Sequence, residues 1–374
     1  MRFKRTLILG FFILSVIAVW DMTTIGVHDF LDMAESDFVR IEGQRNRVPA
    51  QGPDYEEHRQ LEPLAGVRQV TIEGLTGQLD IVRSETEQVT VEYSVQVWGD
   101  GGRQQLAEAA AALAQELAAG WVREGDSVRL AVKQPANLPA GVRAMRVAVR
   151  LAVPDGTRLA AALTGDARVE GISGALNLRL GAGNVTVRRA QGPVNVDSNF
   201  GDVRLEQLSG PVHVQLRGGN VTAWDIAGSV SGRVDMGRLE LDGISGDVDF
   251  TVDKGSTRME DVRGHVKLIG DFGDARIDRV DGDVTVELSF GSLRVRGVRR
   301  AVDVSVHFGD LELVLEGEGG WTVQASAQLG SLETTLPLRR EGNERSARLS
   351  GVIGDGAYPV RVEVHLGSGR LSHR

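Results

Sequence analysis

Arginines and carboxylates recur at a fixed interval in the second half of the chain, and their spacing makes them the first candidates for chemistry. Successive members lie 18 residues, or a multiple of 18, apart. The arginines are Arg168, Arg204, Arg258, Arg276 and Arg294, and the carboxylates two positions later are Glu170, Glu206, Asp242, Glu260 and Asp278. Neighbouring columns of opposite charge favour a solvated, ion-paired surface. The alternative is a stripe that binds a glycan or a phosphate through guanidinium N–H groups, and its residues would be Arg204, Arg258, Arg276 and Arg294.

Residues suited to catalysis or metal binding are scarce. The chain has no cysteine, which excludes disulfides, iron–sulfur clusters and thiolate zinc sites. His213, His265 and His307 fall at different positions of the repeat, so they do not form a cluster. The sequence contains no G-x-S-x-G, H-E-x-x-H or Walker-type motif. We therefore expect no enzyme activity, no cofactor and no metal site.

A polar column directly follows the repeated glycines. It reads Asp166, Asn184, Asp202, Asn220, Arg238, Ser256, Asp274, Ser292 and Asp310. Oxygen ligands at regular spacing could hold calcium, but an arginine in the same column argues against a calcium ladder. The column therefore predicts turns stabilised by Asx and Ser side chains.

Four phenylalanines precede glycines of the repeat, namely Phe200, Phe272, Phe290 and Phe308. Because three of them lie in consecutive repeats, we expect their rings to stack. The favoured position is an internal corner of the fold. An exposed aromatic strip for ligand binding is the alternative.

The elements that must position these side chains follow from the repeat itself. Glycine occurs at 18-residue intervals at Gly165, Gly183, Gly201, Gly219, Gly237, Gly255, Gly273, Gly291 and Gly309. A second glycine column lies nine residues further on, from Gly174 to Gly282. Apolar residues alternate with polar ones in each half of the repeat, which indicates two short strands with one face inward. The sequence thus predicts a mainly β protein, a parallel β-helix or solenoid with 18-residue rungs and a right-handed coil.

Residues 21–374 divide into four predicted segments, one of which is the solenoid. Residues 66–156 are expected to be a small α+β subdomain with one helix over 103–119, because that stretch is rich in alanine and leucine. Residues 157–318 are the predicted solenoid and 319–374 its C-terminal cap. Residues 21–65 are polar with several prolines and are expected to be a linker.

The N-terminus predicts a location outside the cytoplasm. Residues 1–5 are basic and residues 6–20 are an uncharged apolar run, followed by acidic residues. This order is typical of a signal anchor in the membrane or a cleaved signal peptide, and both remain open. The mature chain would be periplasmic or on the cell surface. Nucleic acid is an improbable partner, because the net charge is −9 and no basic block follows residue 5.

Several short motifs from Val142 onward resemble the bacterial putative-adhesin family of extracytoplasmic β-solenoid domains. They are the lead-in Val153-Pro154-Asp155-Gly156-Thr157, the alternating G-D-V-x-[VL] and G-x-V-x-V units, the closing 358–363 segment and Gly367-Ser368-Gly369. The resemblance implies an outward-facing domain of unknown function with no catalytic residues to carry over.

Three functions remain open from sequence. The first is a non-enzymatic, adhesin-like or structural scaffold that binds an envelope protein or a glycan, or self-associates. The second is an envelope-stress or regulatory ectodomain in which residues 67–153 dock a membrane partner. The third, a carbohydrate-active enzyme, is remote, because such β-helices wall their cleft with inserted loops and the 18-residue repeats contain no insertion.

Overall fold

The computed structural model describes residues 52–131, 138–317, 320–343 and 346–374. The predicted signal segment 1–20 and most of the predicted linker lie outside these residues. Among the described residues, no helix has the length and apolar character needed to cross a membrane.

The described chain is almost entirely β-strand. Its first part holds β1 (Tyr55–Gln60), β2 (Leu64–Ala65), β3 (Gln69–Arg83), β4 (Gln88–Gly99), helix α1 (Arg103–Ala119), β5 (Trp121–Glu124), β6 (Ser127–Ala131), β7 (Val142–Val153) and β8 (Arg158–Glu170). The repeat holds β9 (Leu176–Leu180), β10 (Val185–Arg188), β11 (Val194–Phe200), β12 (Val203–Ser209), β13 (Val212–Gly218), β14 (Val221–Ala227), β15 (Val230–Ile244), β16 (Val248–Val262), β17 (Val266–Phe272), β18 (Ala275–Val280), β19 (Val284–Phe290), β20 (Leu293–Val298), β21 (Val302–Phe308) and β22 (Leu311–Leu315). The last part holds β23 (Trp321–Ala327), β24 (Gly330–Thr334), β25 (Arg339–Asn343), β26 (Ser346–Ile353) and β27 (Tyr358–His373).

Two compact units make up the described chain. The larger unit contains the described parts of 57–95, 111–136 and 147–374, and it holds the whole repeat. The smaller unit contains Gln96–Ala110 with the described parts of 1–56 and 137–146. Within the smaller unit, the amide of Asp54 donates to the carbonyl of Val97, and the amide of Gly101 donates to the carbonyl of Gly141.

Each 18-residue rung of the repeat supplies two strands that stack in parallel on the rungs before and after. In one sheet, β19 pairs with β21 so that Val284 lies opposite Val302 and Phe290 opposite Phe308. In the other sheet, β18 pairs with β20 and Arg276 lies opposite Arg294. Inward side chains such as Val286 are buried while their neighbours face out, as expected for strands with a single core face. The predicted fold class is confirmed, and the handedness of the coil stays a prediction.

The first glycine column exists because the rungs stack without room for a side chain at the corner. A Cβ added at Gly255 would lie 2.7 Å from the carbonyl carbon of Gly237 in the preceding rung and still closer to its oxygen. Gly255 also has a φ of +147°, which L-residues rarely adopt. Stacking and backbone conformation therefore both demand glycine here.

A second corner follows a rule that the sequence pattern did not reveal. Residues 18 apart adopt left-handed backbone conformation in successive rungs, with φ between 50° and 70°, namely Gly171, Arg189, Gln207, Asp225, Gly243, Asp261, Arg279 and Gly297. Only three of these are glycine. A Cβ added at Gly297 would come no closer than 3.2 Å to the backbone of Arg279 in the preceding rung, so a side chain fits here and the left-handed conformation costs it about 1–2 kcal/mol.

The solenoid begins earlier than predicted. Strand β3 pairs in parallel with β8, and Gly77 lies opposite Gly165 at the head of the glycine column. The predicted boundary at 156/157 therefore does not separate two compact units, because residues 69–83 are themselves a rung. Strands β1 and β2 also lie inside the predicted linker 21–65. Helix α1 has the predicted bounds, and the Tyr93 hydroxyl donates to the carbonyl of Ala114 on that helix at 2.8 Å.

The C-terminal strand is inserted out of sequence order. Strand β27 pairs in parallel with β21 and β22 on one side and with β23 and β24 on the other. The segments around 360–371, which we expected to close the solenoid, therefore form an internal rung. Strands β23 and β24 are the next rung outward, and β26 and β25 extend one sheet in antiparallel fashion.

Candidate binding face of the solenoid

The predicted arginines project from the strands that follow the first glycine column, such as β18 and β20, on a surface that we call the arginine face. Its central column follows the strand register and reads Arg168, Thr186, Arg204, Thr222, Glu240, Arg258, Arg276, Arg294, Glu312 and Arg370. The structure thus brings Arg258, Arg276 and Arg294 together in consecutive rungs. It separates Arg204 from them by Thr222 and Glu240.

The three adjacent arginines are engaged by carboxylates. Arg258 pairs with Glu260 at 2.8 Å, Arg276 pairs with Asp278, and Arg294 pairs with Glu312 at 2.7 Å. Hydrogen bonds from Arg258 and then from Arg279 hold the pKa of Glu260 below its usual value. These contacts match the ion-paired surface that the alternating charges favoured.

The Glu312 carboxylate forms ion pairs with both Arg294 and Arg296. Partial burial acts to raise its pKa, but hydrogen bonds from Arg296 and Arg294 outweigh that effect and the pKa is lowered. The Arg296 guanidinium lies 2.6 Å from the carboxylate. This carboxylate stays charged and neutralises this part of the face.

Arg204 has a different environment. Its nearest carboxylate, Glu206, is 3.8 Å away and is already bound by Arg188 at 2.8 Å. The Arg204 guanidinium instead lies over the ring of Trp224, 5.3 Å from the ring centroid. Arg168, two rungs away, has no carboxylate within 4 Å among the residues that the structure describes.

Two shallow grooves run along the arginine face. One, of about 780 Å³, is lined by Arg258, Arg276, Arg294 and Arg370. The other, of about 740 Å³, is lined by polar and charged side chains, among them the arginines Arg168, Arg204 and Arg238 and the carboxylates Asp80, Asp166, Asp202 and Glu240. Both are open and polar, which is suited to an extended hydrophilic ligand.

The polar column beside the glycines forms a ladder between rungs, which corrects the predicted local Asx and Ser turns. The Asn184 amide donates to Asp166 Oδ1 at 2.9 Å, the Asp202 amide to Asn184 Oδ1 at 3.0 Å, and the Ser292 amide to Asp274 Oδ1 at 2.8 Å. The Asp and Asn side chains of the column accept from the backbone N–H of the next rung because the rungs stack directly. The carboxylate and amide oxygens are therefore used to join rungs.

The phenylalanine column is exposed, and the predicted internal position is wrong. The rings of Phe272, Phe290 and Phe308 do stack, with centroids 4.8 and 4.7 Å apart. Their exposed fractions are 38%, 41% and 44%, and Phe200 is also 44% exposed. Each ring stands at the end of its strand, where the chain turns at the glycine and the inward–outward alternation stops.

Histidines and acids do not assemble a metal centre in the described part of the chain. There, no group of three or more His, Asp or Glu side chains has the geometry to hold a metal ion. His307 and His365 contact each other edge to face, with centroids 4.8 Å apart.

Sequence reasoning missed two residues of this region. Trp224 occupies the position that Glu206 and Asp242 hold in neighbouring rungs. An aromatic residue between two carboxylates of the same column could have indicated it from the sequence. Arg279 adopts left-handed conformation and binds both Glu260 and Asp261 of the preceding rung at 2.5 Å. That contact crosses a corner, so strand alternation alone could not reveal it.

Comparison with known proteins gives one family and several remote structures. Residues 146–369 match the family described as Toastrack DUF4097. No curated protein matches the chain. A putative lipid binding protein from Parabacteroides distasonis is 13% identical with a TM-score of 0.32, and the match covers 86% of this chain and 98% of that one.

Two further solved structures are similarly distant. A putative adhesin from Bacteroides fragilis is 11% identical with a TM-score of 0.26, covering 87% of this chain and 100% of that one. A putative cell adhesion protein from Clostridium sporogenes is 11% identical with a TM-score of 0.17, covering 86% and 99%. TM-scores this low support no conclusion about ligands.

Proposed function

Because the chain belongs to the Toastrack DUF4097 family of β-solenoid domains, we propose that it is a non-enzymatic, adhesin-like scaffold that binds an extended envelope ligand along its arginine face. The observation that carries the proposal is the regular array of charged and hydrogen-bonding side chains on this face, repeated at the spacing of adjacent strands, about 4.8 Å. A surface that repeats at the strand spacing is suited to an extended ligand, because each further rung adds polar contacts along the same line.

The absence of inserted loops supports a binding role over a catalytic one. From β9 to β22 each rung passes to the next without an added segment, and the grooves are open along their length. Hydrolysis of a glycan would need two carboxyl groups on either side of the scissile bond, one as general acid and one as base or nucleophile. On the arginine face, the carboxylates Glu260, Asp278 and Glu312 are instead bound to arginines.

The proposal includes a location outside the cytoplasm. The basic residues 1–5 and the apolar residues 6–20 would hold the chain at the membrane or direct its secretion. The regulatory alternative, in which residues 67–153 dock a membrane partner, has less support, because β3 of that stretch is itself a rung of the solenoid.

Cells that express the full chain with a C-terminal tag test the proposal. We expect protease added to spheroplasts to remove the tag, and immobilised envelope polysaccharide to retain these spheroplasts better than spheroplasts without the protein. Polysaccharide incubated with the purified chain should show no new reducing ends. A tag that is protected until the membrane is lysed, or retention equal to the control, would contradict the proposal.

A further inference from the structure

We propose that Arg168, Arg204 and Trp224 form an anion-binding subsite of the arginine face, which takes a glycan that bears carboxylate or phosphate groups. The inference rests on the proposed binding role of this face. It places the ligand in the groove lined by Arg168 and Arg204. This groove does not contain the three adjacent arginines Arg258, Arg276 and Arg294.

Availability of N–H donors distinguishes this groove from its neighbour. Carboxylates at hydrogen-bonding distance pair with the guanidinium groups of Arg258, Arg276 and Arg294. Arg204 lies 3.8 Å from a carboxylate that Arg188 already binds, and Arg168 pairs with no described carboxylate. Among the described arginines of this face, Arg168 and Arg204 are the two that no carboxylate holds at hydrogen-bonding distance, so an incoming anion meets the least competition there.

Trp224 positions Arg204. The Arg204 guanidinium carbon lies over the indole ring, 5.3 Å from its centroid, and this cation–π contact favours one placement of the side chain without using its N–H donors. The Arg204 side chain remains 54% exposed. Trp224 is therefore a positioning residue, and its loss should weaken binding without removing the charge.

The spacing of the two arginines sets the form of the ligand. Arg168 and Arg204 are both in register with Thr186, one rung to either side, which places them about 9–10 Å apart along the stack. An extended polymer with anionic groups on alternate units can engage both arginines along this line. Thr186 and Asn184 line the groove between them and supply groups that bind sugar hydroxyls.

The carboxylates of the groove moderate its affinity. Asp166 Oδ1 and Asp202 Oδ1 accept backbone amides of the next rung, and Asp202 Oδ1 also accepts the side-chain amide of Asn220. Asp80 lies opposite Arg168 in the register and accepts a hydrogen bond from Gln78 at 3.0 Å. Because Asp80 is the acid next to Arg168, replacing it with asparagine should strengthen anion binding.

Binding of the full chain in nanodiscs to four immobilised polymers tests the subsite. The probes are polygalacturonate, a glycerol-phosphate teichoic acid, neutral dextran and poly-glutamate. We expect the chain to bind the first two, which separates carboxylate from phosphate, and to bind dextran and poly-glutamate at least roughly tenfold more weakly, since charge and sugar rings are both needed. Higher salt should weaken binding, because the contacts are exposed charges.

The variants have a close control. Arg204→Glu and Arg204→Gln should each lose roughly tenfold or more in affinity, the size expected for one charge-assisted hydrogen bond. Lys267→Glu makes the same charge change as Arg204→Glu at a side chain that is also 54% exposed and loosely paired, at 3.7 Å, but on the other sheet; it should change affinity less than about twofold. Trp224→Leu should weaken binding, and Asp80→Asn should tighten it.

Three outcomes would overturn the subsite. One is equal binding of dextran, one is equal binding of poly-glutamate, and one is an equal loss in Lys267→Glu and Arg204→Glu. If cells expressing the protein still adhere to envelope polysaccharide in any of these cases, the scaffold function stands and only the subsite is wrong. If adhesion is absent as well, both fail.

Discussion

Replacing Gly255 with alanine should destabilise the solenoid more than any surface change, because two separate requirements meet at this residue. The new Cβ would press on the Gly237 carbonyl group, 2.7 Å from its carbon and nearer still to its oxygen, and the backbone φ is +147°. An unfavourable backbone conformation costs about 1–3 kcal/mol. Overpacking a tight site adds about 1–3 kcal/mol. Each ladder hydrogen bond that opens adds about 1 kcal/mol. We therefore expect a loss of about 5 kcal/mol.

Two other glycines separate the contributions. Gly125 has a φ of +65° and nothing within 4 Å of an added Cβ, so Gly125→Ala should cost only about 1–2 kcal/mol for the left-handed conformation. Gly264 is not among the positive-φ residues, but its Cβ would meet the Gly246 carbonyl and lie 2.6 Å from Asp247 Oδ1, so Gly264→Ala reports the steric contribution alone.

Urea unfolding followed by far-UV circular dichroism measures all three variants, and hydrogen exchange of the rungs on either side of Gly255 shows whether the loss is local. The reasoning predicts the order Gly255→Ala, then Gly264→Ala, then Gly125→Ala, from the largest loss to the smallest. A Gly255→Ala protein no less stable than Gly125→Ala would refute the claim that direct stacking requires this glycine.

Three further changes test other parts of the structure. Asp274→Ala should cost about 1 kcal/mol in urea unfolding, because it removes the acceptor for the Ser292 amide, whereas Asp274→Asn should be close to neutral. Hydrogen bonds from the Ser368 hydroxyl and amide lower the pKa of Asp310 below its ordinary value of 3.8, so this carboxylate stabilises the fold above that pH and the contribution is lost as the pH falls through the lowered pKa. Acid unfolding of Asp310→Asn should accordingly be less steep than that of the natural chain, and equal slopes would count against the assignment. Phe290→Ala should cost about 1–2 kcal/mol through lost ring stacking, while Phe250→Ala, at a fully buried position, should cost about 3–5 kcal/mol; similar losses would mean that the phenylalanine column is not at the surface.

The rungs were predictable from sequence because their requirements recur at a constant interval. Glycine at Gly165 and at each eighteenth residue after it, with alternating valine and leucine between, is sufficient to specify stacked strands. The position of the arginines on one outward face followed from the same register. The strand alternation also predicted that their neighbours would be carboxylates on the same side.

Features that depend on contacts out of register were not predictable. The rung around Gly77 is separated from the rest by α1 and its flanking strands, so it falls outside the constant interval. The rung around Gly367 is displaced by the intervening strands β23 to β26. The exposure of Phe290 depends on where the inward–outward alternation stops. The weak pairing of Arg204 depends on Arg188, which binds Glu206 more closely than Arg204 does.

The insertion of β27 between two earlier-made rungs has a consequence for how the chain is made. During synthesis, β21 and β22 leave the ribosome well before the strand that covers them, and β23 and β24 leave before the strand on which they must lie. Val304 and Leu313 are therefore covered on this side only after residues 358–373 have been made. A chain lacking β27 would leave β21 and β22 with an unpaired sheet edge, which is a site where another chain can pair.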